Sequence, residues 1–291
     1  MITLENAYLR ATISSAGAEL TSLYDKENET ERLWKGDPDY WGRHAPHLFP
    51  VVGGCINNEL LIDGKTYPMP KHGFARDSQF KRMESTPEHA KYSLRWSDET
   101  LKAYPYKFEF QVLYDLFERD LRVTYKVINL DAGTVYFQVG GHPAFNVPLL
   151  PGESFDDYYI EFEKAEPLET HLLAPSGYFS GETGHVALDG NKLWLKTELF
   201  DTDALVFKNM QSRRLSIRSK NHDQVLSVDF PQFNYLGIWT KAGGAPFVCI
   251  EPWLGCADTD GPLPDIREKD GIQHVRHGHV VEAVYTISVA G

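Results

Sequence analysis

Strict alternation of apolar and polar residues constrains the fold of this chain more than any other feature. Between residues 106 and 114 every second side chain is aromatic or aliphatic, namely Tyr106, Phe108, Phe110, Val112 and Tyr114. Residues 121–127 alternate in the same way, and the polar run Glu118-Arg119-Asp120 separates the two stretches. Because a period of two is that of a strand with one buried face, the pair predicts an antiparallel hairpin.

Runs of the same kind recur along most of the chain. They lie at residues 92–96, 135–139, 158–162, 204–207, 215–218, 225–230, 235–240, 247–251 and 280–289. A second hairpin is predicted at Asp63-Gly64, because these residues readily adopt the positive φ angles of a two-residue turn. Helical periodicity is limited to one short turn at residues 98–104, and the connections are too short for crossover helices. The sequence therefore predicts an all-β fold, a large antiparallel β-sandwich of two curved sheets.

The domain organisation is predicted from the absence of any dividing segment. No low-complexity linker or block of like charge interrupts the 291 residues. Residues 255–271 are the stretch richest in proline and glycine, and we interpret them as a long surface loop because a strand follows. Large all-β units often reach this length as one unit. We therefore expect a single domain over residues 1–291.

The charge balance argues against some partners. The chain has 29 basic and 41 acidic residues, which gives a formal net charge of -12. A surface this acidic repels phosphate backbones and anionic lipid, so neither nucleic acid nor a membrane is expected as a partner. A neutral sugar, or one phosphate held by local arginines, is compatible with this charge.

A cytoplasmic location is expected. The first residues lack the basic start and apolar run of a secretion signal, and no stretch approaches the roughly 20 apolar residues of a membrane helix. The three cysteines, Cys55, Cys249 and Cys256, are odd in number and lack CxxC spacing. This pattern favours free thiols in a reducing compartment over a zinc site or a disulfide framework.

A carboxylate stands where burial is expected, and burying an unpaired polar group is costly. Glu251 ends the apolar run at 247–250 and precedes Pro252, which favours extended backbone. Its side chain should therefore share a face with Phe247 and Cys249. A carboxylate half-sheltered by apolar neighbours has a raised pKa and can act as a base near neutral pH. The alternative is a rim glutamate held by an arginine.

Two histidines are further candidates. His142 follows Gly140-Gly141 at a predicted strand end, and glycine there allows another chain or a ligand to approach closely. His72 lies in a loop after the second hairpin, next to Gly73 and shortly before Arg76. Loops on a rigid sandwich are where sites are usually built, although a lone histidine is more often structural.

Taken together, these segments resemble the aldose 1-epimerase (galactose mutarotase-like) family, and most of all its bacterial mutarotase-related branch. The segments come in the family's order over nearly the whole chain: Leu48-Phe49-Pro50-Val51-Val52-Gly53, His72-Gly73-Phe74, His142-Pro143-Ala144-Phe145-Asn146 and Cys249-Ile250-Glu251-Pro252-Trp253. The resemblance implies the galactose mutarotase-like supersandwich, which agrees with the strand pattern. It also implies interconversion of the α and β anomers of a sugar, with no cofactor and no metal.

The resemblance also implies roles for individual residues. His142 matches the acid that protonates the ring oxygen, Glu251 the base that takes the proton of the anomeric hydroxyl, and His72 a residue that contacts the ring oxygen. Asp203 resembles the aspartate with which the family binds sugar hydroxyls. Phe145 and Asn146, which follow His142, are expected to contact the substrate.

The chain departs from the family pattern at three positions. Gly54 stands where the family often has arginine, and Arg76 or Arg43 could replace that donor. Ala204 stands where a histidine often follows the aspartate. Trp253 replaces a glutamine of the galactose enzymes and is expected to stack on a sugar face. These differences bear on the identity of the sugar more than on the reaction.

Four other interpretations remain open. A glycoside hydrolase needs two carboxylates, and Glu251 with Asp203 would supply them. A hexose-6-phosphate mutarotase would use cationic side chains such as Lys71. A non-catalytic sugar-binding protein needs no acid and base. Metal ligation is conceivable at two histidine clusters, although solvated histidines are the simpler explanation; these clusters are His44 with His47, and His274 with His277 and His279.

Overall fold

The computed structural model describes residues 1–290, and nearly all of its regular structure is β. The strands in chain order are β1 Ile2–Glu5, β2 Leu9–Ile13, β3 Leu20–Asp25, β4 Thr30–Glu31, β5 His47–Leu48, β6 Glu59–Ile62, β7 Lys65–Pro68, β8 Lys81–Ser85, β9 His89–Arg95, β10 Phe108–Phe117, β11 Asp120–Asn129, β12 Val135–Phe137, β13 Val139–Gly141, β14 Ala144–Asn146, β15 Tyr158–Phe162, β16 Leu168–Leu173, β17 Phe179–Val186, β18 Lys192–Trp194, β19 Leu205–Lys208, β20 Arg214–Ser219, β21 Val225–Asp229, β22 Tyr235–Trp239, β23 Phe247–Leu254, β24 Gln273–Val275 and β25 Val280–Ala290. One α-helix, α1 Asp98–Leu101, occurs in this part of the chain, at the predicted turn, together with five short 3-10 helices: Ile56–Asn58, Ala75–Asp77, Phe155–Asp157, Thr197–Phe200 and Ile266–Glu268.

The largest sheet has nine strands, in the order β18-β15-β20-β21-β25-β11-β10-β9-β8, and its pairs are antiparallel. The predicted hairpin is confirmed at its centre, since β10 pairs with β11 and places Phe110 opposite Val127. The apolar set of alternate residues in β10 is buried, as the alternation predicted. This sheet supplies one wall of the main core.

A six-stranded sheet forms the opposite wall, with the order β19-β22-β23-β13-β5 and β14 paired to β23. Every residue of β23 is buried, yet its two faces have different surroundings. Val248, Ile250 and Leu254 belong to the main core, which also contains residues of the nine-stranded sheet. The other face carries Glu251, with its neighbours Phe247, Cys249 and Trp253. We call this second face the open face of the six-stranded sheet.

Several strands were not recognised in the sequence. The four-stranded sheet β1-β2-β3-β4 and the hairpin β16–β17 lie in segments where the alternation is short or interrupted. The Asp63-Gly64 turn, by contrast, is confirmed between β6 and β7. Asp63 has φ 49° and Gly64 has φ 77°, as a two-residue hairpin turn requires.

The segment 255–271, which we predicted to be a surface loop, is buried in its first part, residues 255–258. Asp258 and Lys269 form an ion pair in which both side chains are buried. Asp258 also accepts a hydrogen bond from the amide of Ile56, and its own amide donates to the carbonyl of Gly54. These contacts join the start of the connection to residues 54–56, which explains why its first residues are buried.

His47 is a structural residue. Its contacts give no support to the hypothesis that His44 and His47 bind a metal ion. Its side chain is fully buried, with Nδ1 2.8 Å from the hydroxyl of Tyr125 and Nε2 2.7 Å from that of Tyr114. Burial lowers the pKa of His47 from 6.5 to about 4. The folded protein therefore keeps this imidazole neutral and hydrogen-bonded between the two sheets.

We expect the free energy of unfolding to fall as the pH decreases from about 6.5 to about 4. Between these values the unfolded chain protonates His47 while the folded protein does not, so acid favours unfolding. A shift of this size corresponds to roughly 3 kcal/mol. Urea unfolding of the protein and of His47→Gln at pH 7 and pH 4 checks this. The variant should show the smaller loss between the two pH values, and an equal loss would contradict the assignment to His47.

No helix within residues 1–290 has the length and apolar character needed to cross a membrane.

Candidate active site

A cavity of about 810 Å³ opens on the open face of the six-stranded sheet. His72, His142 and Glu251, which are far apart in the sequence, all line it. Asp203, Arg76 and Trp253 line it as well, so six of the nine predicted site residues come together here. The structure thus assembles one site from the loop after β7, the end of β13, the start of β19 and the strand β23.

Glu251 is placed by its strand register. It lies opposite Gly237 of β22, with 1% of its surface exposed, and faces the cavity from the floor of the sheet. Burial raises the pKa of the Glu251 carboxyl well above its usual 4.5, against the opposing effect of the Lys71 charge. The sequence-based expectation of a sheltered carboxylate on the face of Phe247 and Cys249 agrees with this geometry.

His142 approaches Glu251 from the neighbouring strand. Its Nε2 is 3.2 Å from Glu251 Oε2, but the angles are not those of a hydrogen bond, because Oε2 has no hydrogen-bond partner among the described residues. Burial lowers the pKa of His142 to about 3 against the opposing hydrogen bond to its own backbone, and the charges of Arg76, Lys71 and Arg43 add to the lowering. Gly140, two residues earlier, leaves room for the indole of the neighbouring strand, since a Cβ there would lie 2.5 Å from Trp253 Cδ1.

The two pKa shifts run in opposite directions. Burial raises the pKa of Glu251 and lowers that of His142, so both shifts favour the uncharged forms, a protonated carboxyl and a neutral imidazole. Moving the proton to the imidazole leaves the net charge of the pair unchanged. Such a transfer therefore avoids the large cost of bringing an extra charge into the cavity.

His72 is held by its backbone in an unusual conformation. Its φ is 67°, in the left-handed region, and the next residue, Gly73, packs so closely that a Cβ there would lie 2.2 Å from the carbonyl oxygen of Phe49. The amide of Gly53 donates to His72 Nδ1 at 3.0 Å, and the amide of His72 donates to the carbonyl of Gly53 at 2.8 Å. Nδ1 therefore accepts, so a neutral ring carries its proton on Nε2.

Asp203 is a second site residue with left-handed backbone. Its φ is 95°, and its Oδ1 accepts a hydrogen bond from the amide of Ala204 at 2.8 Å. Non-glycine residues in such regions are costly and concentrate at functional sites. Lys71 and Arg76 line the same cavity, so anionic and cationic groups both face it.

Three buried polar atoms at the cavity make no hydrogen bond of full geometry in the part of the chain that the structure describes. They are Nδ1 of His142, Oε2 of Glu251 and Nε1 of Trp253. The indole of Trp253 interacts with the Glu251 carboxyl and opposes the rise in pKa that burial causes there, and with 6% exposure it offers little ring face for stacking. Buried polar atoms are nearly always hydrogen-bonded, and unpaired ones need an explanation. A ligand with several hydroxyl groups would satisfy them.

Three predicted substrate contacts are not brought to the cavity. Phe145 is 1% exposed and belongs to the main core, so it has no access to a ligand there. The amide nitrogen of Asn146 donates to the backbone carbonyls of Glu31 and Leu33, which occupies both of its protons. Arg43 pairs with Asp77 at 2.7 Å and acts on the histidines only through its charge. Sequence proximity to His142 was therefore misleading for Phe145 and Asn146.

Other cavity residues were missed in the sequence. Trp41 and Trp239 line the cavity, as does the segment that joins β16 to β17. Trp41 lies between β4 and β5 in a segment without regular structure, so no periodicity marks it. Trp239 was placed in a predicted strand, and its alternation with Gly237 could have indicated the open face.

One group of side chains at the cavity could in principle hold a metal ion. The ligand atoms of His142, Cys249 and Glu251 all lie within 4.8 Å of one another. Cys249 is fully buried and is not among the residues that line the cavity, whereas His142 and Glu251 both line it. Two of the three groups are therefore also placed to act on a ligand in the cavity.

Comparison with known proteins identifies the family to which this chain belongs. The aldose 1-epimerase family model matches residues 1–259. The chain belongs to the aldose 1-epimerase family. Two curated relatives in Lactococcus lactis subsp. lactis, the chromosomal and plasmid forms of protein LacX, are each 33% identical over 268 residues, covering 87% of both chains.

Solved structures of aldose 1-epimerase homologues agree with this fold. A galactose mutarotase-like protein from Lactobacillus casei is 34% identical, with a TM-score of 0.94 over 100% of both chains. A galactose mutarotase related enzyme from Lactobacillus acidophilus is 33% identical, with a TM-score of 0.93 over 100% of this chain and 97% of the other. The β-sandwich predicted from the strand pattern and the resemblance to the family are thus both confirmed.

The structure leaves little room for a larger side chain at Gly54. A Cβ at this position would lie 3.1 Å from the ring of Tyr178 and 3.3 Å from the carbonyl oxygen of Gly177. Tyr178 is fixed there, since its hydroxyl accepts a hydrogen bond from the amide of Asn57. The segment between β16 and β17 therefore fills the space that a larger side chain would need.

Proposed function

We propose that this chain interconverts the α and β anomers of an aldose by opening and closing its ring. The observation that carries the proposal is the pair Glu251 and His142, 3.2 Å apart at the cavity, each with a buried polar atom that makes no hydrogen bond of full geometry to another described residue. Ring opening removes a proton from the anomeric hydroxyl O1 and adds one to the ring oxygen O5. A pair that shares one proton can do both without charge accumulating.

Our proposed mechanism starts when the sugar enters between the two groups. Hydroxyl groups of the sugar and the N–H of Trp253 stabilise the Glu251 carboxylate, so the shared proton moves to His142. His142 then protonates O5 while Glu251 takes the proton of O1, which opens the ring to the aldehyde. Rotation about the C1–C2 bond and the reverse transfers close the ring on the other face.

The remaining residues bind and orient in this proposal. His72, whose Nε2 carries the proton, donates to O5 and directs it towards His142. Asp203 accepts from sugar hydroxyls at the opposite side of the cavity. An acid and a base placed in this way contribute roughly 10²–10⁴-fold each to the rate.

Polarimetry and saturation-transfer NMR test the proposal. Purified protein is added to freshly dissolved α-glucose and α-galactose, and the rate of anomer exchange is compared with that in buffer. We expect acceleration with at least one sugar. A sugar that binds without any acceleration would indicate a sugar-binding protein instead. Release of a reducing sugar from a disaccharide would indicate a glycoside hydrolase that uses Glu251 and Asp203.

A hexose-6-phosphate is a second candidate substrate, because the cationic side chains stand next to His72. Lys71 has no ion-pair partner within residues 1–290. Arg76 is partly neutralised, because its Nε lies 3.7 Å from Asp77 Oδ2 and its Nη2 donates to the carbonyl of Lys71. C6 of a hexose is two bonds from O5, so a ring oxygen at His72 directs a 6-phosphate towards these groups. Both cations can contribute charge-assisted hydrogen bonds to a phosphate.

Lys71→Ala separates the two substrates. If the phosphosugar is the substrate, KM for glucose-6-phosphate should rise about 10-fold, the effect of one lost charge-assisted contact. KM for free glucose should stay within about twofold, since the lysine then faces solvent. Anomer exchange of both sugars is followed by NMR. Equal changes for both would assign the cavity to unphosphorylated sugars.

A further inference from the structure

The imidazole of His142 stacks on an aromatic column that begins in the interior, and the ring of His72 packs edge-on against this imidazole, with ring centroids 5.7 Å apart. Trp34 and Phe247, both buried, have ring centroids 5.0 Å apart, and Trp41 follows Phe247 at 5.7 Å. His142 then stacks on Trp41, with centroids 4.8 Å apart and an interplanar angle of 26°. Successive planes are inclined by only 36°, 29° and 26°. Phe247, Trp41 and His142 therefore form a stack that reaches the cavity, and Trp34 packs on its inner end at a tilt.

The column is anchored at both ends of its path. The indole N–H of Trp34 donates to the backbone carbonyl of Trp41 at 2.8 Å, which fixes the loop that carries Trp41. The amide of His142 donates to the carbonyl of Pro46 at 3.1 Å. Trp239 braces the stack from the side, edge-on to Trp41 at 5.5 Å and to His142 at 5.7 Å. Trp41 thus has little freedom to leave the imidazole.

Within residues 1–290, no hydrogen bond to a second residue sets the ring plane of His142, in contrast to His72. Nδ1 of His72 accepts from the amide of Gly53, whereas the polar contact that the ring of His142 makes with backbone is to its own residue, and its Nδ1 makes no hydrogen bond of full geometry in the described chain. Histidines that transfer protons are usually oriented by a hydrogen bond at the second ring nitrogen. Because His142 has no such bond to a second described residue, contacts between rings are what remains to hold its Nε2 towards Glu251.

We propose that Trp41 is a positioning residue, which holds the His142 imidazole in its reactive orientation by ring stacking. The proposal rests on the proposed function for its kinetic consequence, although the orientation itself exists in the sugar-free protein. Proton transfer depends steeply on placement, and displacements near 1 Å can cost about 100-fold in rate. Without the indole face, the imidazole can rotate about its side-chain bonds and turn Nε2 away from the carboxylate.

Four variants test this role through kcat and KM. Trp41→Phe keeps a ring, Trp41→Leu and Trp41→Met fill space without one, and Trp194→Leu is the matched control. Trp194 lies on β18, at the edge of the nine-stranded sheet and outside the cavity, where its indole stacks obliquely on Tyr159. We expect Trp41→Leu and Trp41→Met to lower kcat about 10- to 100-fold with little change in KM. Trp41→Phe and Trp194→Leu should stay within about threefold of the unmodified protein, since a ring or the whole site is retained.

Other kinetic results would overturn the proposal. A rise in KM at constant kcat would make Trp41 a platform for the sugar rather than a support for His142. Equal losses in the Phe and Leu variants would show that ring stacking is not what matters. Thermal unfolding identifies any variant that has lost its fold, and the Met variant then replaces the Leu variant, because its flexible chain fills irregular space.

A second measurement does not depend on activity. Long-range ¹H–¹⁵N spectra of the sugar-free protein report the histidine rings, with His142 assigned through its alanine variant. We expect one sharp set of His142 signals in the unmodified protein and in Trp41→Phe, and broadened or doubled signals in Trp41→Leu. Unchanged sharp signals in Trp41→Leu would contradict positioning by Trp41. If the unmodified protein fails to exchange anomers, the proposed function falls, and these spectra still decide the role of Trp41.

Discussion

Glu251→Gln should lose about 10³-fold or more of the anomer-exchange rate while remaining folded. The amide keeps the size and shape of the carboxyl group but cannot take the proton of O1, so the general base is removed. General bases contribute roughly 10²–10⁴-fold. Because the substitution also leaves the shared proton without one of its two sites, we expect a loss in the upper part of this range. Saturation-transfer NMR at equal protein concentration measures it.

The stability of the same variant provides the control. The pKa of Glu251 is raised in the folded protein, so at neutral pH the unfolded chain can release a proton that the folded protein retains. The free energy of unfolding of the unmodified protein therefore falls as the pH rises above about 4.5, and this loss continues up to the folded pKa. Glutamine does not titrate, so the free energy of unfolding of Glu251→Gln does not fall in this way. Measured against the unmodified protein at the same pH, the variant should therefore gain stability between pH 4.5 and pH 8. A less stable variant at pH 8 would show that the carboxyl has a structural role.

His142→Gln should lower the exchange rate about 10²–10³-fold, because glutamine can neither accept nor release the shared proton. The loss should fall on kcat, since the ring contacts of the sugar with His72 and Asp203 remain. Saturating sugar concentrations in the NMR assay separate kcat from KM. An unchanged kcat would remove His142 from the proton-transfer step.

The double variant Glu251→Gln, His142→Gln tests whether the two residues act as a unit. Groups that share one proton lose their function together, so the second substitution should add little to the first. We expect the double variant to be within about 10-fold of the slower single variant, far from the product of the two losses. Multiplied losses would indicate two independent steps and contradict a shared proton.

The strand pattern was readable in the sequence because burial on one face imposes a period of two. The hairpin β10–β11 and the Asp63-Gly64 turn were predicted in this way, since each depends only on neighbouring residues. The hairpin β16–β17 was missed, because much of its length is exposed and lacks the apolar alternation. Local regularity was thus visible only where one face meets the core.

The candidate site was readable in part. Glu251 stood out as a carboxylate at the end of a buried run, and its burial follows from that local pattern. His72 was a weak signal, because its left-handed φ and its bonds to Gly53 depend on a segment 19 residues away. The prediction for Asn146 was misleading because its side-chain amide donates to two backbone carbonyls. Both carbonyls belong to residues more than 100 positions earlier in the sequence.

The sequence by itself determined the β architecture and the membership in the family, and it named two candidate groups for the proposed proton transfers. Only the tertiary structure decided how these groups are held. Trp41 and His142 are 101 positions apart, and nothing local to either residue predicts that their rings stack at 4.8 Å. The electrostatic state of the pair is equally non-local. Desolvation depends on every element packed around the cavity, so the raised pKa of Glu251 and the lowered pKa of His142 arise only when the sheets and loops close around them.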